Sequence, residues 1–252
     1  MRRVVAVAHV KGGVGKTTTV VNLAAALGEA GERSLVIDLD PQGAATRSLG
    51  AQGDGELLRE RLRWREGLET AALPSSAPGV DVVAGGTALL DADRDLAGRI
   101  GPDSRLRTCL ERTEGPWDWF FLDCPAGLGI LSVNALVAAA GVLVPTEGHP
   151  LAIEALAELQ RAIRDVRDAG LNPGLEVRGV LVCRAQARRL AHRDAVGRLE
   201  EDYPNRVGPL IRENVALVKA PGLGRPAVLS SPRSPAAEDY RAAARWVRTL
   251  FP

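Results

Sequence analysis

Apolar residues along this chain fall into two alternating kinds of run. Six short runs are almost continuously apolar and rich in β-branched residues: 4–10, 34–40, 80–85, 119–125, 141–147 and 177–183. Such runs read as strands buried on both faces, as in a parallel sheet. Between them the apolar positions recur every three to four residues, which predicts helices near 16–30, 87–99, 103–113, 130–140, 150–169 and 189–202, with a last one at 235–250. The alternation predicts an α/β fold: a doubly wound, mostly parallel sheet flanked by helices. The stretch 74–79 reads as a loop and 229–240 as a linker into the final helix, and neither separates an independent core, so 1–252 is expected to be one domain.

Composition changes this picture little. With 46% hydrophobic and 25% charged residues, the expectation is an ordinary soluble globular protein. The net charge of +1 hides an asymmetry, because residues 161–252 hold 17 Lys+Arg against 10 Asp+Glu. A basic C-terminal third fits either a polyanion partner or an arginine-rich solvated surface. Cys109, Cys124 and Cys183 lack metal-ligand or disulfide spacing and read as core thiols of a reducing compartment. No apolar stretch is long enough to span a bilayer, the N-terminal apolar run is too short for a signal peptide, and a cytoplasmic location is expected.

The chemistry concentrates in HVKGGVGKTTT, residues 9–19, between the first predicted strand and the first predicted helix. A glycine-rich turn opening a helix gathers backbone N–H groups and the positive helix end around an anion. Gly15-Lys16-Thr17 matches the end of the Walker A pattern, with Lys16 for the β/γ-phosphates and the Thr17 hydroxyl for Mg²⁺. The glycine usual five residues before Gly15 is Val10, and a second lysine, Lys11, stands in the loop. Asp38 and Asp40, two apart at a strand end, point the same way from the pleat toward the crevice at the carboxyl edge of the sheet. Asp123 ends another such strand.

KGGVGKTTT resembles the deviant Walker A box of the ParA/MinD group of P-loop ATPases, with ParA/Soj-type partition ATPases the best match. The likeness continues in order through VIDLDPQGAAT (36–46), FFLDCPAGLG (120–129) and RENVALVKAPGLGRP (212–226). It implies an ATPase of weak intrinsic activity, with ATP and Mg²⁺, working as a homodimer in the ATP state and stimulated by a ParB-like or other cargo adaptor. By resemblance, Lys11, Gly12, Gly13, Val14, Gly15, Lys16, Thr17 and Thr18 hold the nucleotide, and Lys11 reaches the phosphates bound by the partner subunit. Lys11, Lys16 and Asp40 are then the catalytic set, Asp40 activating water. Thr17 holds Mg²⁺ directly, with Asp38 and Asp123 acting through water. Arg184, Arg212 and Asn214 fall where relatives hold the adenine.

Arg188, Arg189, Arg193 and Lys219 are the expected contacts to DNA, made to phosphates without reading bases. The resemblance thus implies a nucleoid-associated switch that positions or segregates a plasmid, a chromosomal origin or a protein assembly. The alternative is an ATPase that regulates a polar or membrane-associated complex without DNA. Two departures from the family pattern stand out: Ala126-Gly127 after the second carboxylate strand, and Ala216, where relatives often carry arginine. The final helix carries a core-facing stripe, Tyr240, Ala243, Ala244, Val247 and Leu250, and no membrane anchor is expected.

Overall fold

A computed structural model of the chain describes residues 2–148, 150–185 and 190–252, with the side chains of 150–154 and 190–193 left out of the description. Seven strands form one sheet: β1 (Arg3–Val7), β2 (Ser34–Asp38), β3 (Ala72–Pro74), β4 (Val80–Val83), β5 (Trp119–Asp123), β6 (Gly141–Glu147) and β7 (Val177–Cys183). Their order is β3-β4-β2-β5-β1-β6-β7, and every pairing is parallel except that of the edge strand β3 with β4. The helices are α1 (Lys16–Glu29), α2 (Ala44–Ser48), α3 (Glu56–Trp64), α4 (Ala92–Leu96), α5 (Arg105–Arg112), α6 (Ile130–Ala138), α7 (Pro150–Asp168), α8 (Leu190–Asp202), α9 (Val215–Lys219), α10 (Ala227–Ser230) and α11 (Pro235–Leu250).

The strands are apolar throughout because both faces of the sheet are covered. Along β5, Phe120 and Leu122 enter one core with Leu58, Leu106 and Leu131 from α3, α5 and α6. Trp119 and Phe121 enter the other with Leu23 of α1 and Tyr240 and Val247 of α11. The stripe expected on the last helix is the face that packs: Tyr240, Ala243, Ala244 and Val247 are buried there, and Leu250 packs against the same core.

Several expected elements are shorter or differently divided. The strands β1, β2 and β5 stop at Val7, Asp38 and Asp123, two or three residues early, because the chain leaves the sheet there to build the site. The single helix expected over 87–99 is a 3₁₀ turn (Thr87–Asp91) followed by α4, and 103–113 likewise opens with a 3₁₀ turn (Pro102–Ser104). The short elements α2, α3, α9 and β3 were not anticipated, and the stretch read as a linker contains the end of α10 and the start of α11.

β1 and β5 lie side by side at the centre, and the chain leaves them in opposite directions, from β1 toward β2 and from β5 toward β6. A crevice opens at the carboxyl ends of strands where the winding reverses in this way. Register places Asp38 beside Asp123 across β2 and β5, and Asp123 beside Val7 of β1. All three strand ends meet at one point.

Close packing of α1 on the β-side loop depends on Gly28, where an added Cβ would lie 2.2 Å from the backbone oxygen of Pro78. Alanine favours a helix over glycine by about 1 kcal/mol, but overpacking against a carbonyl that cannot rotate away costs roughly 1–3 kcal/mol or more. Gly28→Ala is therefore expected to lower the Tm by several degrees, at about 2–4 °C per kcal/mol for a chain of this size. Thermal unfolding followed by circular dichroism checks this, and a Tm equal to or above that of the parent refutes the packing account.

Candidate functional site

The loop after β1 turns twice through left-handed backbone, at Gly13 (φ 79°) and Gly15 (φ 97°). Side-chain-bearing residues rarely adopt these values, which is why glycine stands there. An added Cβ at Gly15 would in addition come within 3.4 Å of the Cys183 sulfur. Gly15 is the N-cap of α1 and supplies no side chain to the helix end, so the first-turn N–H groups stay available to an anion.

Lys16 begins that helix and is buried. Its Nζ donates to the carbonyls of His9 (3.2 Å) and Lys11 (3.1 Å), so the ammonium is held back against its own loop. Burial lowers its pKa, while the charges of Asp123 and Asp40 act in the opposite sense. Lys11 is held differently. Its backbone N–H donates to His9 Nδ1 (3.0 Å), and its side chain stays 48% exposed with Nζ 4.0 Å from Glu147.

Thr17 Oγ1 donates to Asp123 Oδ2 at 2.8 Å, tying the helix to the end of β5. Asp123 is fully buried and its Oδ1 has no hydrogen-bond partner among the described residues. Burial, and then the neighbouring Asp38 charge, push its pKa well above the usual carboxylate range. A hydroxyl beside a desolvated, incompletely partnered carboxylate is a donor set suited to a hard divalent cation such as Mg²⁺, directly or through retained waters. Thr17 and Asp123 therefore fit the metal role expected of them.

Asp38 is also fully buried, but its oxygens are engaged within the protein. Oδ2 accepts from the Thr46 N–H (2.8 Å) and hydroxyl (2.7 Å), and Oδ1 accepts from the Asp40 N–H at 3.2 Å. Thr46 Oγ1 in turn accepts from the Gly85 N–H at 3.0 Å. Asp38 thus anchors the 40–46 loop, and Asp40 faces the cleft with Oδ1 accepting from the Gln42 N–H at 2.8 Å.

A cleft of about 490 Å³ runs from Gly12–Thr18 past Asp40 and Ala126 to Arg184, Ile211, Asn214, Leu217 and Val218. Residues 206–213 lie alongside β7, with the Ala185 N–H donating to Ile211 O at 2.8 Å, and this carries Asn214 to the cleft. Asn214 caps α9, its Oδ1 accepting from the Ala216 N–H at 2.9 Å. Arg184 lines the cleft but pairs with Glu147 at 2.7 Å. Arg212, expected at the base, is not among the lining residues and forms an ion pair with Asp239 on α11 at 2.7 Å.

Of the expected DNA contacts, Arg188 and Arg189 lie outside the described residues, as does the side chain of Arg193; Lys219 is exposed on α9. Sequence reasoning missed Thr46 and Glu147. Glu147 ends β6 at the same sheet edge, so the strand-end reasoning applied to Asp38 and Asp123 also reaches it.

Fold and loop together define a P-loop nucleotide-binding protein. A family model described as an AAA domain matches residues 2–177. The chain is 40% identical over 244 residues to the chromosome-partitioning ATPase Soj of Thermus thermophilus, covering 95% of this chain and 92% of that one. It is 36% identical over 250 residues to the chromosome partitioning protein ParA of Caulobacter vibrioides, covering 97% and 93%. Among solved structures it resembles a Mycobacterium smegmatis protein described as cobyrinic acid a,c-diamide synthase with bound ATP analogue and magnesium (TM-score 0.83, 32% identity, 97% and 93% covered). It also resembles the cell division ATPase MinD of Pyrococcus furiosus (TM-score 0.78, 25% identity, 99% and 100% covered). The chain belongs to the ParA/Soj branch of the ParA/MinD-type P-loop ATPases.

The buried Asp123 gives a test. Because its pKa is raised on folding, its protonated form stabilises the native state, and that contribution is lost as pH climbs through the raised pKa. Asp123→Asn removes the charge. Without Mg²⁺ the variant is expected to melt at or above the parent at pH 8 and to show a smaller loss of Tm between pH 5 and pH 8. With ADP it should lose the extra stabilisation that Mg²⁺ gives the parent. Scanning fluorimetry with and without Mg²⁺ measures both; an unchanged Mg²⁺ response separates Asp123 from the metal.

Proposed function

We propose that this protein is an ATP-dependent, dimerising switch ATPase that binds DNA nonspecifically and positions or segregates a cargo under the control of an adaptor protein. What carries the reading is the divergence of the two loop lysines. Lys16 is buried against its own loop carbonyls at the helix end, whereas the Lys11 side chain is 48% exposed at the rim and tethered to Glu147. One lysine suffices for the subunit's own β/γ-phosphates; the second faces outward, where a partner subunit's nucleotide would lie.

On this reading the Gly12–Thr18 backbone and Lys16 cradle the phosphates. Thr17 and Asp123 hold Mg²⁺, which when bound neutralises phosphate charge. Asp40, on the cleft wall, positions the attacking water. Phosphoryl transfer depends mainly on positioning and charge stabilisation, so a second lysine from the partner raises the rate without new covalent chemistry. Asn214 and the apolar wall around Ile211 and Leu217 receive the base. Arg184 can stack on the base only by leaving Glu147, and an exposed pair of this kind costs about 0–1 kcal/mol to break.

The diamide synthase name borne by one structural relative implies amide chemistry in that protein. Here the thiols give no support for a cysteine nucleophile: all three are buried, with Cys183 pushed up to about 11 and Cys109 to about 12.

Lys16→Ala is expected to weaken ATP binding roughly 10- to 150-fold, the factor that corresponds to a lost charge-assisted contact of about 1.5–3 kcal/mol. Lys11→Ala should leave ADP affinity within about twofold but abolish both the ATP-bound dimer and turnover. Analytical ultracentrifugation and phosphate release measure these, and normal dimerisation and turnover by Lys11→Ala would overturn the cross-subunit role.

DNA binding is expected to require ATP, to ignore sequence and to weaken steeply between about 50 and 200 mM salt, since each neutralised phosphate adds roughly 0.9 to the salt slope. Arg188→Glu with Arg189→Glu should remove it and leave ATP affinity intact. A gel shift unaffected by the double substitution, or absent for the ATP-loaded parent at low salt, rejects the DNA assignment.

A further inference from the structure

Far along the chain from the phosphate loop, four arginines converge on an apolar knob. Ile100, in the loop after α4, is 89% exposed, and Trp64, at the end of α3, is 59% exposed. The Ile100 carbonyl accepts from Arg105 at 3.0 Å and also from Arg65, so the backbone that presents this side chain is pinned from two sides. The guanidinium carbons of Arg63 and Arg99 each lie 5.4 Å from the centroid of the Trp64 ring.

None of these four arginines forms an ion pair with a carboxylate among the described residues. Arg65 donates to Ile100 and Gly101 carbonyls, Arg99 to the Asp95 carbonyl, and Arg105 to the carbonyls of Leu62, Arg63 and Ile100. Acids do stand nearby, but other arginines take them: Asp95 is bound by Arg59 and Glu66 by Arg61. Arg63 acts on Asp95 through its charge without forming an ion pair with it, so the surplus is local and only partly offset. After burial, the charges of Arg65 and Arg99 lower the pKa of Arg105, which is the signature of crowded cations. Such crowding is unfavourable within one chain and becomes favourable when an external anion arrives.

We propose that Trp64 and Ile100, with Arg63, Arg65 and Arg99, form a docking surface for an acidic amphipathic segment of a partner protein, the buried Arg105 fixing the Ile100 backbone that presents it. A guanidinium stacked on an indole keeps its in-plane N–H donors free for carboxylates. Ile100 supplies the desolvated anchor and the arginines the rim, which matches the anatomy of a small protein interface. Guanidiniums at Trp64 compete with a nucleobase for its ring, so carboxylates with apolar neighbours fit this surface better than nucleic acid does. None of the six residues lines the nucleotide cleft, and the proposal stands apart from the ATPase reading.

The test is fluorescence anisotropy of the full chain with a labelled synthetic amphipathic peptide, leucine on one helical face and glutamate on the other. It is expected to bind at least tenfold more tightly than the same peptide with lysine for glutamate. Ile100→Glu with Arg99→Glu should reduce binding at least tenfold, and the milder pair Arg63→Gln with Arg99→Gln by a smaller factor, both with an unchanged Tm. Equal binding of the two peptides overturns the proposal, as does unchanged affinity in a folded Ile100→Glu, Arg99→Glu variant. It also fails if that variant instead loses binding to phosphatidylglycerol vesicles or duplex DNA while the acidic peptide binds neither protein.

Discussion

Two carboxylates buried side by side at the ends of β2 and β5 hold the site together. Burying one ion is costly, and burying two of like sign in register is costlier still unless donors and cations surround them. Asp38 is satisfied by Thr46 and the Asp40 N–H, and it thereby fixes the 40–46 loop to the sheet edge. Asp123 is satisfied on one oxygen by Thr17, which fixes the start of α1 to the same edge. The second oxygen of Asp123 has no donor among the described residues, and the positive end of α1 and the Lys16 ammonium are the favourable charges near it. The first turn of α1 and the loop carrying Asp40 are therefore hung from one incompletely neutralised pair.

Much of this was legible in the sequence because the informative features are local. Gly13 and Gly15 occupy backbone that side-chain-bearing residues avoid, and Lys16 and Thr17 follow them within the first turn of a helix. The central strands were legible because burial on both faces erases the two-residue alternation. α3 was not legible: its interior face is only Leu58 and Leu62, it is rich in arginine, and its N-cap is a glycine with no capping side chain. β3 has three residues at an edge, too few to show a period. Pairings that need the fold were also out of reach. The place of Arg212 in a motif points to the base, whereas only the fold shows Asp239, 27 positions later on α11, pairing with its guanidinium. Thr46 reveals itself only when the chain returns to Asp38 after the turn.

The two ends of the cleft differ in how firmly they are built. At the phosphate end the walls are the starts and ends of buried elements, and Lys16 is clamped by two carbonyls in a desolvated setting, where hydrogen bonds are stronger than in water. At the opposite end the wall is α9, a helix of five residues with Val215 and Val218 exposed, held at its start by the Asn214 cap. A cap contributes about 1 kcal/mol, far less than a strand end buried on both faces. Glu147 sits between these regimes. It tethers Lys11 at the rim and Arg184 on the far cleft wall through contacts on side chains 48% and 62% exposed. Solvent screens such pairs to about 0–1 kcal/mol, whereas a phosphate oxygen offers an ammonium a charge-assisted bond about twice as strong as a neutral one. The loop thus carries one lysine clamped by its own carbonyls and one on a tether weak enough to be exchanged. Had both been buried, neither could leave; had both been free, the loop would lack the internal support that keeps Lys16 at the helix end.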